Sequence, residues 1–414
     1  MRKEIPIQSA MFVVAMILAG MASAETETEA EAAIATAPEA DATRSIKLSA
    51  SAGLGYDSNA YQVPGASYVD YAALPPGSNP TVNPQKKSGF FIPYKVRVDV
   101  TKRRDQDNRR FFLVAVDERI YIGSGLNNAN ESNADLSGGA ERVLRRDGDM
   151  EDTFYFGVLG GKHKQVYVEH DSGLEETTAS GIEISGRYSY INLGAEAKYK
   201  HRIGDIDYGI SGQYILNDYE NPAVGPSLDH AYYTLGADAS LPIATRTSLN
   251  LSFNHSVRDY SKLSSRDALG NSGIANPLLM YTYDAVGATL LNRISDVWLL
   301  YADFDHTQRA DNNVGYGDSG ENRYGVRVMY EQGLIKARLA MHHWARDYPN
   351  GFAFDVSGQG AKSYRGYNLK FRAEREQTQN TALWTELVYD GQSSADPRYE
   401  YARTQAMAGM SWVY

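Results

Sequence analysis

The chain has 414 residues, 43% hydrophobic and 22% charged, with 37 Gly, no Cys and a formal net charge of -10. Its mean hydropathy of -0.45 excludes a bundle of transmembrane helices, the acidic balance argues against a nucleic-acid partner, and the missing cysteines remove thiolate chemistry and disulfide staples. The length suits two or three domains or one large all-β domain, and the outlying count is tyrosine, 30 against 12 Phe and 4 Trp.

From the N-terminus, Arg2 and Lys3 form a basic start, Met11 to Ala19 an apolar run too short to span, and Ala22-Ser23-Ala24 a small-x-small site. Residues 1–24 therefore read as a cleaved secretory signal, with an uncleaved anchor helix as the alternative. Residues 25–45 are rich in Ala, Glu and Thr and lack aromatics. Such a stretch cannot bury enough apolar surface to offset its ordering entropy, and it reads as an acidic disordered tail in the periplasm.

From Ile46 to Tyr414 the period is two. In 248–258, Leu249, Leu251, Phe253 and Val257 alternate with Ser248, Asn250, Ser252, Asn254 and Arg258. In 297–308, Trp298, Leu300, Ala302 and Phe304 alternate with Tyr301, Asp303 and Asp305. In 334–346, Ile335, Ala337, Leu339 and Met341 alternate with Lys336, Arg338, His342 and Arg346. In the last segment Ala402, Thr404, Ala406, Ala408, Met410, Trp412 and Tyr414 share one face. Short polar turns at 102–109, 146–150, 203–206, 242–246, 294–296, 331–333 and 376–380 alternate with long loops. The long loops fall at 57–86, 123–134, 168–181, 220–229, 261–278, 307–321, 349–361 and 391–397. Fifteen connections make sixteen strands, and short turns opposite long loops is the pattern of a closed transmembrane antiparallel up-and-down β-barrel over 46–414. Closure requires the strand at 46–56 to pair with that at 397–414. A soluble sandwich is the competing all-β reading.

Strands running toward the long loops end in Tyr56, Tyr121, Tyr167, Tyr219, Tyr260, Tyr348 and Tyr389. Equal height predicts an aromatic girdle at the outer lipid–water interface. Trp412 and Tyr414 end the lipid-facing stripe and resemble the C-terminal signal read by barrel-insertion machinery. The expected location is the outer membrane of a Gram-negative bacterium, in contact with membrane lipids and lipopolysaccharide.

The phrase Gly53-Leu-Gly-Tyr-Asp-Ser-Asn-Ala-Tyr61, with Asn217-Asp-Tyr219, Arg258-Asp-Tyr260 and Arg346-Asp-Tyr348 at later strand ends, resembles the β-barrel porin type 2 family. It is similar, more weakly, to the barrel of surface lipoprotein assembly modifiers. The first resemblance implies an outer-membrane barrel tied to exopolysaccharide loci, with polysaccharide or periplasmic export components as partners. The assembly modifiers carry helical repeats before the barrel, and 25–45 contain none.

The polar faces carry the candidate chemistry. Arg323, Arg327, Lys336, Arg338, Arg346, Lys370, Arg372 and Arg403, with Asp303 and Asp305, are the expected pore lining. They form either a charged wall that selects solutes, with weak anion preference, or a ladder of cross-strand ion pairs that stiffens the barrel. Tyr301, Trp344 and Trp384 on the same face supply either a track for sugar rings or packing for loops. The long first loop, with Pro64, Pro75, Pro76, Pro80 and Pro84, is the expected constriction.

No catalytic, cofactor or metal site is expected. His170-Asp171-Ser172 are adjacent and therefore not a triad, and His342 and His343 face opposite sides. Asp57, Asn59 and Asp70, or Asp311, Asn312 and Asp318, could offer oxygens to Ca²⁺ but fit turns equally well. The expected function is a porin-like channel for small polar or saccharide solutes, extending to exopolysaccharide export. The alternative is a non-conducting barrel that acts through its loops as a surface interaction or secretion-assembly module.

Overall fold

The computed structural model describes residues 44–72, 77–123, 125–165, 187–220 and 227–414. The expected signal (1–24), most of the expected tail, Tyr167, and His170-Asp171-Ser172 lie outside the described residues. The first strand begins at Arg44, two residues before the expected start.

Sixteen strands form the wall. In chain order they are β1 (Arg44–Asp57), β4 (Gly89–Arg103), β5 (Asn108–Ile122), β6 (Glu131–Asp147), β7 (Met150–Gln165), β8 (Tyr190–Ile203), β9 (Ile206–Tyr219) and β10 (His230–Ala244). They continue as β11 (Thr247–Ser264), β12 (Leu278–Arg293), β13 (Trp298–Asp311), β14 (Ser319–Gln332), β15 (Ile335–Phe352), β16 (Ala361–Thr378), β17 (Thr381–Ser394) and β18 (Tyr401–Val413). Within the first loop a short ribbon joins β2 (Tyr68–Val69) to β3 (Thr81–Val82).

Each barrel strand pairs antiparallel with its sequence neighbour, and β1 closes the sheet on β18 with Ala52 opposite Met410. The C-terminal residue seals the seam: the Tyr414 amide donates to the Leu48 carbonyl at 2.7 Å, and the Leu48 amide returns the bond at 2.8 Å. Closure leaves no edge unpaired, which an apolar surrounding demands of every backbone amide. The short turns between β6 and β7, β8 and β9, and β14 and β15 place Gly148, Gly204 and Gly333 at φ of 55–57°, the left-handed region where a side chain is strained.

Register divides every strand into two faces. On β8 and β9 the outward set is Ile191, Leu193 and Ala195 against Leu216, Tyr214 and Ile210. The outer surface is accordingly apolar: Leu193 is 65% and Leu235 67% exposed. The inner face carries the charges. Apolar clusters form where loops fold back on the wall. One joins Tyr61 and Val63 of the first loop to Phe91, Tyr121, Leu126 and Ala129. The other joins Tyr68 to Ala353 and Phe354 between β15 and β16.

Candidate functional site: the lumen and its mouth

Asp303 and Asp305 (β13), Arg323 and Arg327 (β14), Lys336, Arg338 and Arg346 (β15), Lys370 and Arg372 (β16) and Arg403 (β18) all lie on the inner face. Tyr301, Trp344 and Trp384 share it. Most of these charges are paired. Lys336 contacts Glu331 at 3.2 Å and Glu376 at 3.0 Å. Glu321 takes both Arg323 and Arg346. Arg403 forks onto Asp390 at 3.0 Å. Glu386, nearly buried, is shared by Lys370 at 2.7 Å and Arg372 at 3.3 Å. Four stand apart: among the described residues, Arg327 and Arg338 have no carboxylate within 4 Å, and Asp303 and Asp305 have no base within it. Arg327 lies 5.2 Å over the Tyr301 ring, and Arg338 stands directly opposite Arg372.

The tyrosine girdle requires correction. Tyr56 and Tyr389 do face outward, exposed by 41% and 46%. Tyr121, Tyr219, Tyr260 and Tyr348 face the lumen instead. Tyr219 shares the inner parity of Gln213 and Ser211, Tyr260 that of Arg258, and Tyr348 packs on Tyr364 at 5.7 Å. At the loop end Tyr219 and Tyr260 lie in a lumenal belt that runs from His163 through Tyr190, Tyr219 and His230 to Tyr260, with centroid spacings of 4.5–5.7 Å. From Tyr260 it passes to Tyr281 at 6.3 Å. Arginines thread the belt: Arg258 lies 5.6 Å from both Tyr232 and Tyr283, and Arg309 4.4 Å from Tyr281 and 5.2 Å from Tyr348. The amphipathic ring that suits a membrane interface suits a wet pore mouth equally, so height along the strand does not choose the face. Parity does.

The first loop packs against the inner wall where it leaves β1. Asp57, fully buried, anchors it: its carboxylate accepts from the Tyr121 hydroxyl at 2.7 Å, the Gln405 amide at 2.6 Å and the Asn59 backbone N–H at 2.8 Å. The buried Asn59 amide then donates to the carbonyls of Val63 at 3.0 Å and Ala402 at 3.2 Å. The Tyr61 hydroxyl donates to the Gly125 carbonyl at 2.8 Å, and burial pushes its pKa up. Sequence periodicity gives no sign of this contact, which joins positions far apart in the chain.

Other loops interlock above. Asp355 receives Arg266 and Lys362, each at 3.4 Å, and the Tyr316 hydroxyl at 3.3 Å. Phe354, held at φ 58°, donates its amide to the buried Asp396 at 2.7 Å, and the Arg398 guanidinium covers its ring at 4.9 Å. Asp311 is saturated by the backbone N–H groups of Asn313, Gly315 and Gly317, a turn role rather than a cation site. Among the described residues no three His, Asp or Glu side chains converge as metal ligands.

The fold and its inner face define a closed β-barrel with a charged lumen and a first loop packed against its inner wall. No family model matches the chain, and no curated protein matches it. Among solved structures it is similar to the outer membrane channel DcaP of Acinetobacter baumannii (12% identity, 92% of this chain and 99% of that one, TM-score 0.47). It is also similar to an anion-selective porin from Comamonas acidovorans (10%, 90% and 100%, TM-score 0.46) and to Salmonella typhi OmpF (11%, 90% and 97%, TM-score 0.44).

Proposed function

We propose that this protein is a passive outer-membrane channel for small polar solutes, saccharides among them, with a weak preference for anions. The observation that carries the reading is the lumen. Sixteen strands enclose a bore too wide for side chains to fill, and the inner face is charged while the outer face is apolar. A cavity of about 550 Å³ opens beside the free guanidinium of Arg338. Strands of 13–18 residues cross a hydrocarbon core with length to spare when tilted. The long loops then face outside, the short turns face the periplasm, and the outward Trp412 and Tyr414 meet lipid and the insertion machinery. The tyrosine belt offers sugar-stacking surface at the mouth, in keeping with the exopolysaccharide association that the family resemblance implies.

Proteoliposomes in an iso-osmotic test should swell at once in glucose and more slowly as the saccharide lengthens. Swelling no faster than protein-free vesicles would overturn the channel. It would favour the second reading, a non-conducting interaction module, which the interlocked loops around Asp355 and Asp396 support.

A further inference from the structure

The strongest unexplained feature is the cavity of about 550 Å³ in the mid-lumen, between β15–β18 and β1, β4, β5 and β6. All of its lining lies on barrel strands, and one of these residues, Met407, also packs on the Tyr61–Val63–Phe91–Tyr121 cluster. Three of its bases are matched by acids: Lys95 by Asp117, Arg119 by Glu131 at 3.7 Å, and Arg403 by Asp390. Glu118 does not contribute its charge, because its side chain points out of the barrel and accepts from the Ser132 hydroxyl at 2.9 Å. On the opposite wall, Lys370 and Arg372 share Glu386, and Arg372 also takes Glu374. Arg338 faces Arg372 with no acid of its own.

An aromatic wall sits beside it. Trp384 is 95% buried, lines the same cavity, and its indole N–H has no hydrogen-bond partner. The ring is held flat: Gly53 and Gly409 leave it room, where added Cβ atoms would stand 2.9 and 2.6 Å from it, and Arg372 stacks on it at 4.6 Å. An unmatched guanidinium in the same space calls for an anion, and its planar fork fits a carboxylate bidentately.

We infer that this cavity is a binding site for a small carboxylated solute of monosaccharide size, with the Arg338 guanidinium holding the carboxylate and the Trp384 ring, capped by Arg372, forming part of the wall. The volume falls within the usual range for small-molecule pockets. The inference deepens the channel reading and rests on it for the solute's route in. Binding itself does not require transport, so the two can fail separately.

The test uses the full-length protein in detergent, with calorimetric titration of glucuronate and, as the neutral counterpart, glucose. Glucuronate should bind and glucose should not. Arg338→Gln should weaken glucuronate binding by about tenfold or more, the usual loss for a hydrogen bond to a charged group. Arg97→Gln, whose partner Asp99 lies outside the cavity, should leave it unchanged. Heat-modifiable gel migration identifies folded barrels among the variants. Equal affinity for glucuronate and glucose, absence of glucuronate binding, or a folded Arg338→Gln protein that binds like wild type would overturn the site. Glucuronate binding without swelling of proteoliposomes would uphold the site and sink the channel. Swelling without glucuronate binding would do the reverse.

Discussion

Replacing Asp57 by Ala should release the first loop from the lumen wall. The carboxylate is fully buried and accepts three hydrogen bonds, from Tyr121, Gln405 and the Asn59 backbone, with Arg403 3.9 Å away. Alanine strands the Tyr121 hydroxyl and the Gln405 amide without an acceptor and leaves Arg403 with Asp390 alone. Removing one partner from a buried charged network costs about 3–5 kcal/mol. The inward seat of the loop rests otherwise on Tyr61 and Val63, whose burial contributes roughly 1.5–3 kcal/mol each. A loss of about 3 kcal/mol therefore removes roughly a third to a half of the holding energy and shifts the open-to-closed ratio of the loop about 150-fold. In planar bilayers Asp57→Ala should show a long-lived state of higher conductance that the wild type visits rarely. Asp57→Asn, which still offers an oxygen to Tyr121 or Asn59, should lie between the two. Amplitudes and open times in Asp57→Ala equal to those of the wild type would refute the plug.

The remaining predictions concern charge, packing and pH. Arg338→Glu should move the reversal potential in a KCl gradient toward cation selectivity, more than Lys336→Glu does, because Lys336 is already neutralised by Glu331 and Glu376. Equal shifts would show that pairing does not set which charges a passing ion feels. Gly409→Val should lower the urea midpoint of the folded barrel by the equivalent of about 1–3 kcal/mol, since its Cβ would stand 2.7 Å from the Gly53 Cα and 2.6 Å from Trp384. An unchanged midpoint would mean that the seam between β1 and β18 has slack. Asp267, in the loop between β11 and β12, has its pKa lowered by hydrogen bonds from the backbone and side chain of Asn271 and the backbone of Leu269 and Gly270. A depressed carboxylate pKa stabilises above the unfolded value of about 3.9 and loses that contribution as pH falls through the folded value. Pepsin should therefore cut this loop faster as the pH drops below about 4, and in Asp267→Asn the acid-dependent increase should be smaller.

Strand existence, strand number and the closing pair were legible because period two and alternating loop lengths are local signals. The same alternation placed Lys336, Arg338 and Arg372 on one face. For the tyrosines, height along a strand does not fix the side on which the ring stands. Tyr219 lies at odd parity with Gln213, whereas the apolar stripe of its strand, Ile210, Tyr214 and Leu216, is even. The phrases Asn217-Asp-Tyr219 and Arg258-Asp-Tyr260 thus already carried the correct face. What no local pattern carried is the tertiary part: Asp57 meeting Tyr121 and Gln405, Asp355 meeting Arg266, and Trp384 left with an unpaired N–H. Each depends on chain segments brought together only by barrel closure.

The absence of Cys from the native chain makes one measurement especially direct. Ser51 lines the mid-lumen cavity, while Leu54 on the same strand faces outward. In single-channel recordings Ser51→Cys should conduct in steps, and a water-soluble, charged methanethiosulfonate should cut each step as it reacts. Leu54→Cys should conduct without responding. A silent Ser51→Cys protein, or one that reacts with no change in current, would contradict an aqueous path through this barrel.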